Sequence, residues 1–220
     1  MTRRNRSSAA QRRRTQVSAD SNRRWYVVAG IGLVVVAAAV IAVALATSQP
    51  SISEPADASV IVTRTPLPDY PDSGTDPAIG MRLPTLQGVG LDGSSMTISA
   101  DGRAKAIIVL AHWCPHCQAE VPRIVAWLAD NPVPAGVDIV GISTAIDPTR
   151  PNYPPSAWLE REGWQQPTLV DDANSTGYGA LGGTAFPGWV FVTVDGSVHL
   201  RTTGELDTAE FGTILEEIAP

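Results

Sequence analysis

The pattern of apolar and polar positions divides the sequence into a charged head, an apolar run, a polar segment and a patterned C-terminal part. Residues 25–46 contain no charged side chain and are rich in Val, Ala, Ile and Leu. As a helix, this run would span about 33 Å, which is enough to cross the hydrocarbon core of a bilayer. The run predicts a transmembrane anchor, because it is long for a signal peptide. Cleavage near Ala46, which would release a secreted protein, is the alternative.

Residues 47–78 have a composition that differs from both neighbouring segments. Ser, Thr, Asp and Ala are interspersed there with six prolines. Such a segment buries too little apolar surface to fold alone, so a disordered linker is expected. Residues 79–220 remain, and their number suits a single domain.

Apolar patterns within residues 79–220 indicate alternating strands and helices. Two continuous apolar runs are typical of strands buried on both faces of a sheet: residues 104–111 and 137–143. Three segments are expected to form helices: residues 115–130, 156–162 and 207–218. Residues 188–194 and 197–203 flank Asp195-Gly196, which favours a two-residue hairpin turn. This order predicts an α/β domain, in which helices flank a mixed sheet.

Charge is distributed unevenly along the chain. Residues 1–24 carry eight of the 16 basic side chains and a single acidic one, Asp20. The remainder carries 8 basic and 21 acidic side chains, a net charge of −13. An acidic body repels phosphate backbones, so nucleic acid is not expected as a partner. Because basic flanks stay inside, residues 1–24 are expected to form a cytoplasmic tail of a single-pass protein in the cell membrane, with the domain outside the cytoplasm.

The only two cysteines, Cys114 and Cys117, lie between the first buried strand and the helix that follows it. This spacing across a first helical turn brings two sulfurs within bonding reach, and the helix N-terminus favours the thiolate of the first cysteine. We therefore expect Cys114 to attack disulfides and Cys117 to resolve the mixed disulfide. Pro115 suits the first turn of a helix. His116 is expected to add positive charge that stabilises the thiolate, which favours oxidation of substrates.

Two inert roles for the cysteines are less favoured. A structural disulfide across so short a loop would stabilise the fold little. A zinc site would need two more ligands, and the chain has only three histidines to offer: His112, His116 and His199. We expect neither a metal nor another cofactor.

Three segments resemble the thioredoxin superfamily, in particular its membrane-anchored TlpA/ResA-like thiol–disulfide oxidoreductases. VLAHWCPHCQAEVPRI resembles the active-site strand and helix of that family. GGTAFPGWVFVTVDGSVHLRTTGEL resembles its second signature, and GMRLPTLQGVGLDGSSMTIS its N-terminal hairpin. The resemblance covers about residues 80–219. It implies a thioredoxin-like fold that exchanges disulfides with exported proteins, for example in cytochrome c maturation, and a membrane redox partner that recycles the cysteine pair.

The resemblance also implies roles for side chains outside the cysteine motif. Pro187 falls on the position of a cis-proline that lies beside the cysteine pair and helps to hold extended substrate chain. Phe186 is expected to shape the docking surface, and Trp113 to line the site.

The chain departs from the thioredoxin pattern in its proton-transfer group. Residues 106–111 offer no equivalent of the buried carboxylate that many thioredoxins carry on the strand before the motif. Proton transfer to Cys117 would then use water, Glu120 or His112. The position of Glu120 favours a surface glutamate, and proton transfer is the alternative for this residue.

The direction of exchange and two other functions stay open. The Pro-His dipeptide is that of DsbA-type oxidases, whereas the small anchored domain resembles the often reductive TlpA branch. A thiol peroxidase is a second hypothesis, although residues 108–113 lack the Thr or Ser that such sites use. A non-catalytic binding module at the membrane is the third.

Overall fold

A computed structural model describes residues 58–220. The segments expected to form the cytoplasmic tail (1–24) and the transmembrane helix (25–46) lie outside the described residues, as does the first part of the expected linker. Within residues 58–220, no helix is both long enough and apolar enough to cross a membrane. The elements follow in this order: β1 (Ile61–Thr63), β2 (Thr85–Gly90), β3 (Ser95–Ile98), β4 (Ala104–Leu110), α1 (Pro115–Asp130), β5 (Val137–Ser143), α2 (Pro155–Arg161), β6 (Thr168–Val170), α3 (Thr176–Ala180), β7 (Gly188–Val192), β8 (Val198–Thr203) and α4 (Thr208–Ile218).

The strands of the described part form one eight-stranded mixed sheet. Its order is β1-β2-β6-β5-β4-β7-β8, and β3 pairs with β2 off this path. β4, β5 and β6 run parallel to one another, whereas β7 is antiparallel to β4, and β8 to β7. The α/β class with a mixed sheet, predicted from the apolar pattern, is therefore confirmed. β2 and β3 form the N-terminal hairpin that the resemblance implied.

β4 lies at the centre of the sheet and is buried along its whole length. Successive side chains of a strand point to opposite faces, so β4 contributes to two apolar cores. Ile108 and Leu110 pack in the core that α1 and α4 cover, whereas Ile107 and Val109 pack in the core on the other face. A strand covered on both faces needs the continuous apolar run found in the sequence.

The hairpin near the C-terminus differs from its prediction in the length of its turn. β7 ends at Val192 and β8 begins at Val198, where the pairing shifts register. The Thr193 amide donates to the Ser197 carbonyl at 2.9 Å. The carboxylate of Asp195 accepts hydrogen bonds from the Thr193 hydroxyl and the Ser197 amide, which stabilises a loop longer than the expected two residues.

The expected linker is wrong for residues 58–78, which we call the N-terminal arm. β1, inside this arm, adds an antiparallel strand to the edge of β2, and the Leu67 side chain is buried. Further along, the Leu67 amide donates to the Ala180 carbonyl at 2.9 Å, and the Tyr70 amide donates to the Gly182 carbonyl at 2.8 Å. Composition predicted disorder because these residues cannot fold alone. The edge of β2 and the carbonyls of Ala180 and Gly182 supply the hydrogen-bond partners that the arm lacks on its own.

Arg201 anchors the N-terminal arm. Its side chain is only 3 % exposed, and it pairs with the Asp76 carboxylate through Nε at 2.9 Å and Nη2 at 2.5 Å. Its Nη1 donates to the carbonyl oxygens of Pro68 at 2.9 Å and Leu181 at 2.8 Å. A buried guanidinium is stable only when its donors are satisfied, and the arm supplies most of these acceptors.

Candidate active site

The cysteine motif lies where β4 ends and α1 begins. Cys114 is the N-cap of α1, in extended conformation, and Pro115 follows in the first turn, where its missing N–H costs nothing. The Cys114 amide donates to the Ala111 carbonyl, and the Cys114 carbonyl accepts from the Gln118 amide, both at 3.0 Å. The first thiol therefore sits at the positive end of the helix dipole, as expected from the sequence.

The two thiols differ in access to solvent. Both are free in this structure; Cys114 is 7 % exposed and Cys117 is fully buried. Burial strongly raises the pKa of Cys117, whose thiol is also hydrogen-bonded to that of Cys114. Only Cys114 can therefore be reached by a large partner, and Cys117 is held in its neutral form beside it.

The Phe186–Pro187 loop faces the thiol of Cys114. The Phe186–Pro187 peptide bond is cis, and the Phe186 carbonyl oxygen lies 3.8 Å from Cys114 Sγ, which donates to it. On the other side, the Pro187 carbonyl accepts from the Gly204 amide at 2.8 Å. This loop precedes β7, the antiparallel neighbour of β4, so the sheet fixes its distance from the cysteines. The structure thus places a cis-proline one residue after the carbonyl that Cys114 contacts.

Aromatic side chains form the rim of the site. Trp113 meets Phe186 edge to face with ring centroids 6.0 Å apart, and Tyr178 packs against Phe186 in a tilted arrangement with ring centroids 4.7 Å apart. Burial raises the pKa of Tyr178 to about 12, so its phenol stays neutral. Trp113 is fixed by a hydrogen bond from its indole N–H to the Ala145 carbonyl at 2.8 Å. The guanidinium of Arg150 covers the same ring at 4.1 Å.

His112 is not available to move protons at the cysteines. Its ring is buried, with Nδ1 2.7 Å from the Pro151 carbonyl oxygen and Nε2 accepting from the Asp147 amide at 3.2 Å. This arrangement places the proton on Nδ1, and burial lowers the pKa of the ring, which stays neutral. His112 therefore fastens the loop that carries Arg150. The expectation that it could serve Cys117 is wrong.

Glu120 is the buried carboxyl group that β4 lacks, and the expectation of a surface glutamate is wrong. Its side chain is fully buried one helical turn beyond Cys117. Oε1 accepts from the indole N–H of Trp189 at 3.1 Å and from the Leu206 amide at 3.0 Å. Oε2 accepts no hydrogen bond and lies 3.4 Å from Arg123 Nη1. Burial raises the pKa of Glu120.

The sequence interpretation missed two charged residues beside the motif, Arg123 and Glu205. Glu205 accepts from Arg123 Nη1 at 2.9 Å, and its other oxygen lies 2.9 Å from His116 Nδ1. His116 itself is exposed. The spacing of Glu120 and Arg123 at i and i+3 was a signal for their ion pair. Glu205 follows Gly204 at the end of the segment that resembles the family's second signature, which was a weaker signal.

The described residues contain no cluster of three or more His, Cys, Asp or Glu side chains that could hold a metal ion. The groups that the structure brings together at this site are the two sulfurs and the side chains around them. Two adjacent thiols, one accessible and one buried, can form and break a disulfide with a partner.

Comparison with known proteins agrees with this fold. The sequence matches the Redoxin family over residues 78–215. No curated protein matches it. Similar solved structures include a thioredoxin-family thiol:disulfide interchange protein from Chlorobium tepidum, with 22% identity, a TM-score of 0.51 and coverage of 71% of this chain and 98% of that one.

Two further structures share the fold at lower identity. The thioredoxin domain of a thiol-disulfide oxidoreductase from Bacteroides vulgatus is 17% identical, with a TM-score of 0.52 over 65% of this chain and 99% of its own. StoA from Bacillus subtilis is 14% identical, with a TM-score of 0.51 over 63% of this chain and 98% of its own. Because the Redoxin match covers more than half of the chain, this protein belongs to the Redoxin family and is an oxidoreductase of the thioredoxin type.

Proposed function

We propose that this protein is an extracytoplasmic thiol–disulfide oxidoreductase that exchanges disulfides with exported proteins through Cys114 and Cys117. One observation carries the proposal. The thiol that reaches solvent lies at the N-cap of α1 and 3.8 Å from the carbonyl of Phe186, while its partner is buried in the first turn. A nucleophile at the rim and a resolver behind it are what exchange through a mixed disulfide requires.

Exchange proceeds in two displacements. In the reducing direction, the Cys114 thiolate attacks one sulfur of a substrate disulfide, an S–S bond forms between the two proteins, and the second substrate sulfur leaves as a thiolate that takes up a proton. Cys117 then loses its proton and attacks Cys114 Sγ. The Cys114–Cys117 disulfide forms, the remaining substrate sulfur leaves as a thiolate, and two electrons have passed to the substrate. Oxidation of a substrate dithiol is the reverse sequence.

Glu120 is the proposed proton acceptor for Cys117. The neutral thiol must be deprotonated before it can attack, and burial makes its thiolate costly. Because burial also raises the pKa of Glu120, this carboxyl group can exchange protons nearer to neutral pH than an exposed glutamate can. A water molecule between the two side chains would complete the route.

Substrate is proposed to lie in extended form across the loop of Pro187. The Phe186 carbonyl accepts a hydrogen bond from Cys114 in the free protein, so it faces the place where a substrate sulfur would arrive. Trp113 and Phe186 offer apolar surface on the same rim. Such an apolar surface can bind a substrate polypeptide without selecting one sequence.

The compartment and the anchor are part of the proposal. The uncharged run over 25–46 and the basic flank before it support a single membrane span with the domain outside, where disulfides persist. A membrane redox partner would then recycle the cysteine pair. The Pro-His dipeptide slightly favours oxidation of substrates over their reduction.

To test the proposal, the full chain is equilibrated with mixtures of reduced and oxidised glutathione and trapped with acid. The fraction that carries a Cys114–Cys117 disulfide is then measured. A Cys117→Ser variant should accumulate a mixed disulfide with a model substrate, whereas Cys114→Ser should not. Failure to form a Cys114–Cys117 disulfide at any ratio would refute the proposal. Unchanged activity in cells of the Cys114→Ser/Cys117→Ser double variant would instead favour a binding module.

A thiol peroxidase is the second candidate, and the Redoxin match favours it. Peroxidatic sites use a Thr or Ser a few residues before the cysteine, but Ala111 and His112 stand there, and His112 is engaged with the loop at Pro151. Consumption of hydrogen peroxide by the reduced chain tests this candidate, with Cys114→Ser as the control. Turnover with peroxide faster than with a protein disulfide would make it the leading function.

A further inference from the structure

Glu205 joins two side chains of the active-site helix. It lies in the loop between β8 and α4, after Gly204 in sequence. One carboxylate oxygen is 2.9 Å from Nδ1 of His116, and the other is 2.9 Å from Nη1 of Arg123. His116 lies between the two cysteines, so one residue of a distant loop contacts the motif directly.

Arg123 continues the chain of contacts inward. Besides Glu205, its Nη1 lies 3.4 Å from Oε2 of the buried Glu120, and its Nη2 donates to the Leu206 carbonyl at 2.6 Å. The Leu206 amide donates to Oε1 of Glu120 at 3.0 Å. The loop at 205–206 therefore contacts both the exposed His116 of the motif and the buried carboxyl group of Glu120.

We propose that Glu205 is a positioning residue of the redox site, which orients His116 and Arg123 and thereby sets the balance between the dithiol and disulfide forms of the cysteine pair. This inference rests on the proposed thiol–disulfide exchange. It adds a residue outside the cysteine motif and outside the proline loop that tunes the same equilibrium.

The direction of the effect follows from charge. The Glu205 carboxylate lies beside the motif, where its negative charge disfavours a thiolate at Cys114, and it also contacts Arg123. Replacing Glu205 by Gln removes one negative charge from this cluster. The thiolate of the reduced form becomes more stable, so the variant should be a stronger oxidant.

The experiment measures the equilibrium constant of the full chain with glutathione for the wild type, Glu205→Gln, His116→Ala and the double variant. We expect Glu205→Gln to shift the constant toward the dithiol by about twofold to fivefold, which is the range for a partly exposed ion pair. Because the contact with His116 holds the Glu205 carboxylate beside the motif, the shift should shrink in the His116→Ala background.

His199 and Glu217 supply a matched control. They form a similar surface pair outside the cysteine motif, with His199 Nε2 3.1 Å from Glu217 Oε2. Glu217→Gln should leave the constant unchanged. Thermal unfolding shows whether Glu205→Gln is folded; should it fail to fold, Glu205→Asp keeps the charge on a shorter side chain and should give a smaller shift of the same sign.

Two results would overturn the inference. A Glu205→Gln constant equal to that of the wild type would show that the loop does not influence the cysteines. An equal shift with and without His116 would show that Glu205 does not act through the motif. Both differ from failure of the proposed function, in which the wild type itself would form no Cys114–Cys117 disulfide with glutathione.

Discussion

Trp189 donates its indole N–H to Oε1 of Glu120 across 3.1 Å, in an interior where Trp189 is 1 % exposed and Glu120 is fully buried. One partner comes from β7 and the other from α1, so the hydrogen bond joins the sheet to the active-site helix. The carboxyl group is thereby fixed in direction, which a surface glutamate would not be.

Replacing Glu120 by Gln should stabilise the fold at neutral pH and slow the reaction of Cys117. Because burial raises the pKa of Glu120 in the folded state, its contribution to stability is complete below its unfolded pKa and is lost as pH rises through the folded pKa. The variant lacks this loss, so its free energy of unfolding at pH 8 should exceed that of the wild type by about 1 kcal/mol.

Denaturant unfolding of the reduced chains at pH 5 and pH 8 measures the difference, with the exposed Glu216→Gln as the control. Release of substrate from a trapped mixed disulfide should be slower in Glu120→Gln, because Cys117 has lost its proton acceptor. Equal release rates would show that water alone serves this thiol.

The two cysteines should differ in reactivity toward an alkylating reagent. Cys114 is the thiol with access to solvent, whereas Cys117 is buried and its pKa is raised. We expect Cys117→Ser to be alkylated at least about tenfold faster than Cys114→Ser at pH 7, since each unit of pKa changes the thiolate fraction about tenfold. Stopped-flow reaction with iodoacetamide gives both rates, and similar values would contradict the assignment of nucleophile and resolver.

His112 should make the protein less stable in mild acid. Burial lowers the pKa of its ring in the folded state, so protonation favours the unfolded chain once the pH falls below the usual histidine pKa of about 6.5. A His112→Gln variant should show a flatter dependence of unfolding free energy on pH between 7 and 5. His199→Gln is the control because His199 is more exposed. An identical slope in His112→Gln and the wild type would exclude this role.

Asp76 should be required for stability. Its removal leaves the Arg201 guanidinium buried without its carboxylate, and breaking such a pair costs about 3–5 kcal/mol. Asp76→Asn should therefore lower the midpoint of thermal unfolding well below that of Asp72→Asn, which changes an exposed residue. Because Arg201 lowers the pKa of Asp76, the difference between wild type and variant should disappear as pH falls through that pKa.

The sequence predicts those parts of the fold and site that depend on neighbouring residues. The apolar run at 104–111 indicated a strand buried on both faces, and the spacing of Cys114 and Cys117 placed both thiols in one helical turn. These signals are local, because strand burial and helix start are encoded in consecutive residues.

Other parts depend on contacts between distant residues. The carboxyl group of Glu120 is buried by partners 69 and 86 residues away, Trp189 and Leu206, so its helical position alone favoured the surface. The N-terminal arm looked unable to fold for a similar reason, since Asp76 meets Arg201 across 125 residues of sequence. Polar composition predicts disorder only when no distant partner exists.

The docked arm has a practical consequence for where the domain can be cut. The Redoxin match starts at residue 78, after Asp76 and Pro68. A recombinant fragment that begins there would leave the guanidinium of Arg201 without three of its hydrogen bonds and the edge of β2 open to other chains. A fragment made for crystallisation or enzyme assays should therefore begin no later than residue 58, twenty residues before the start of the family match.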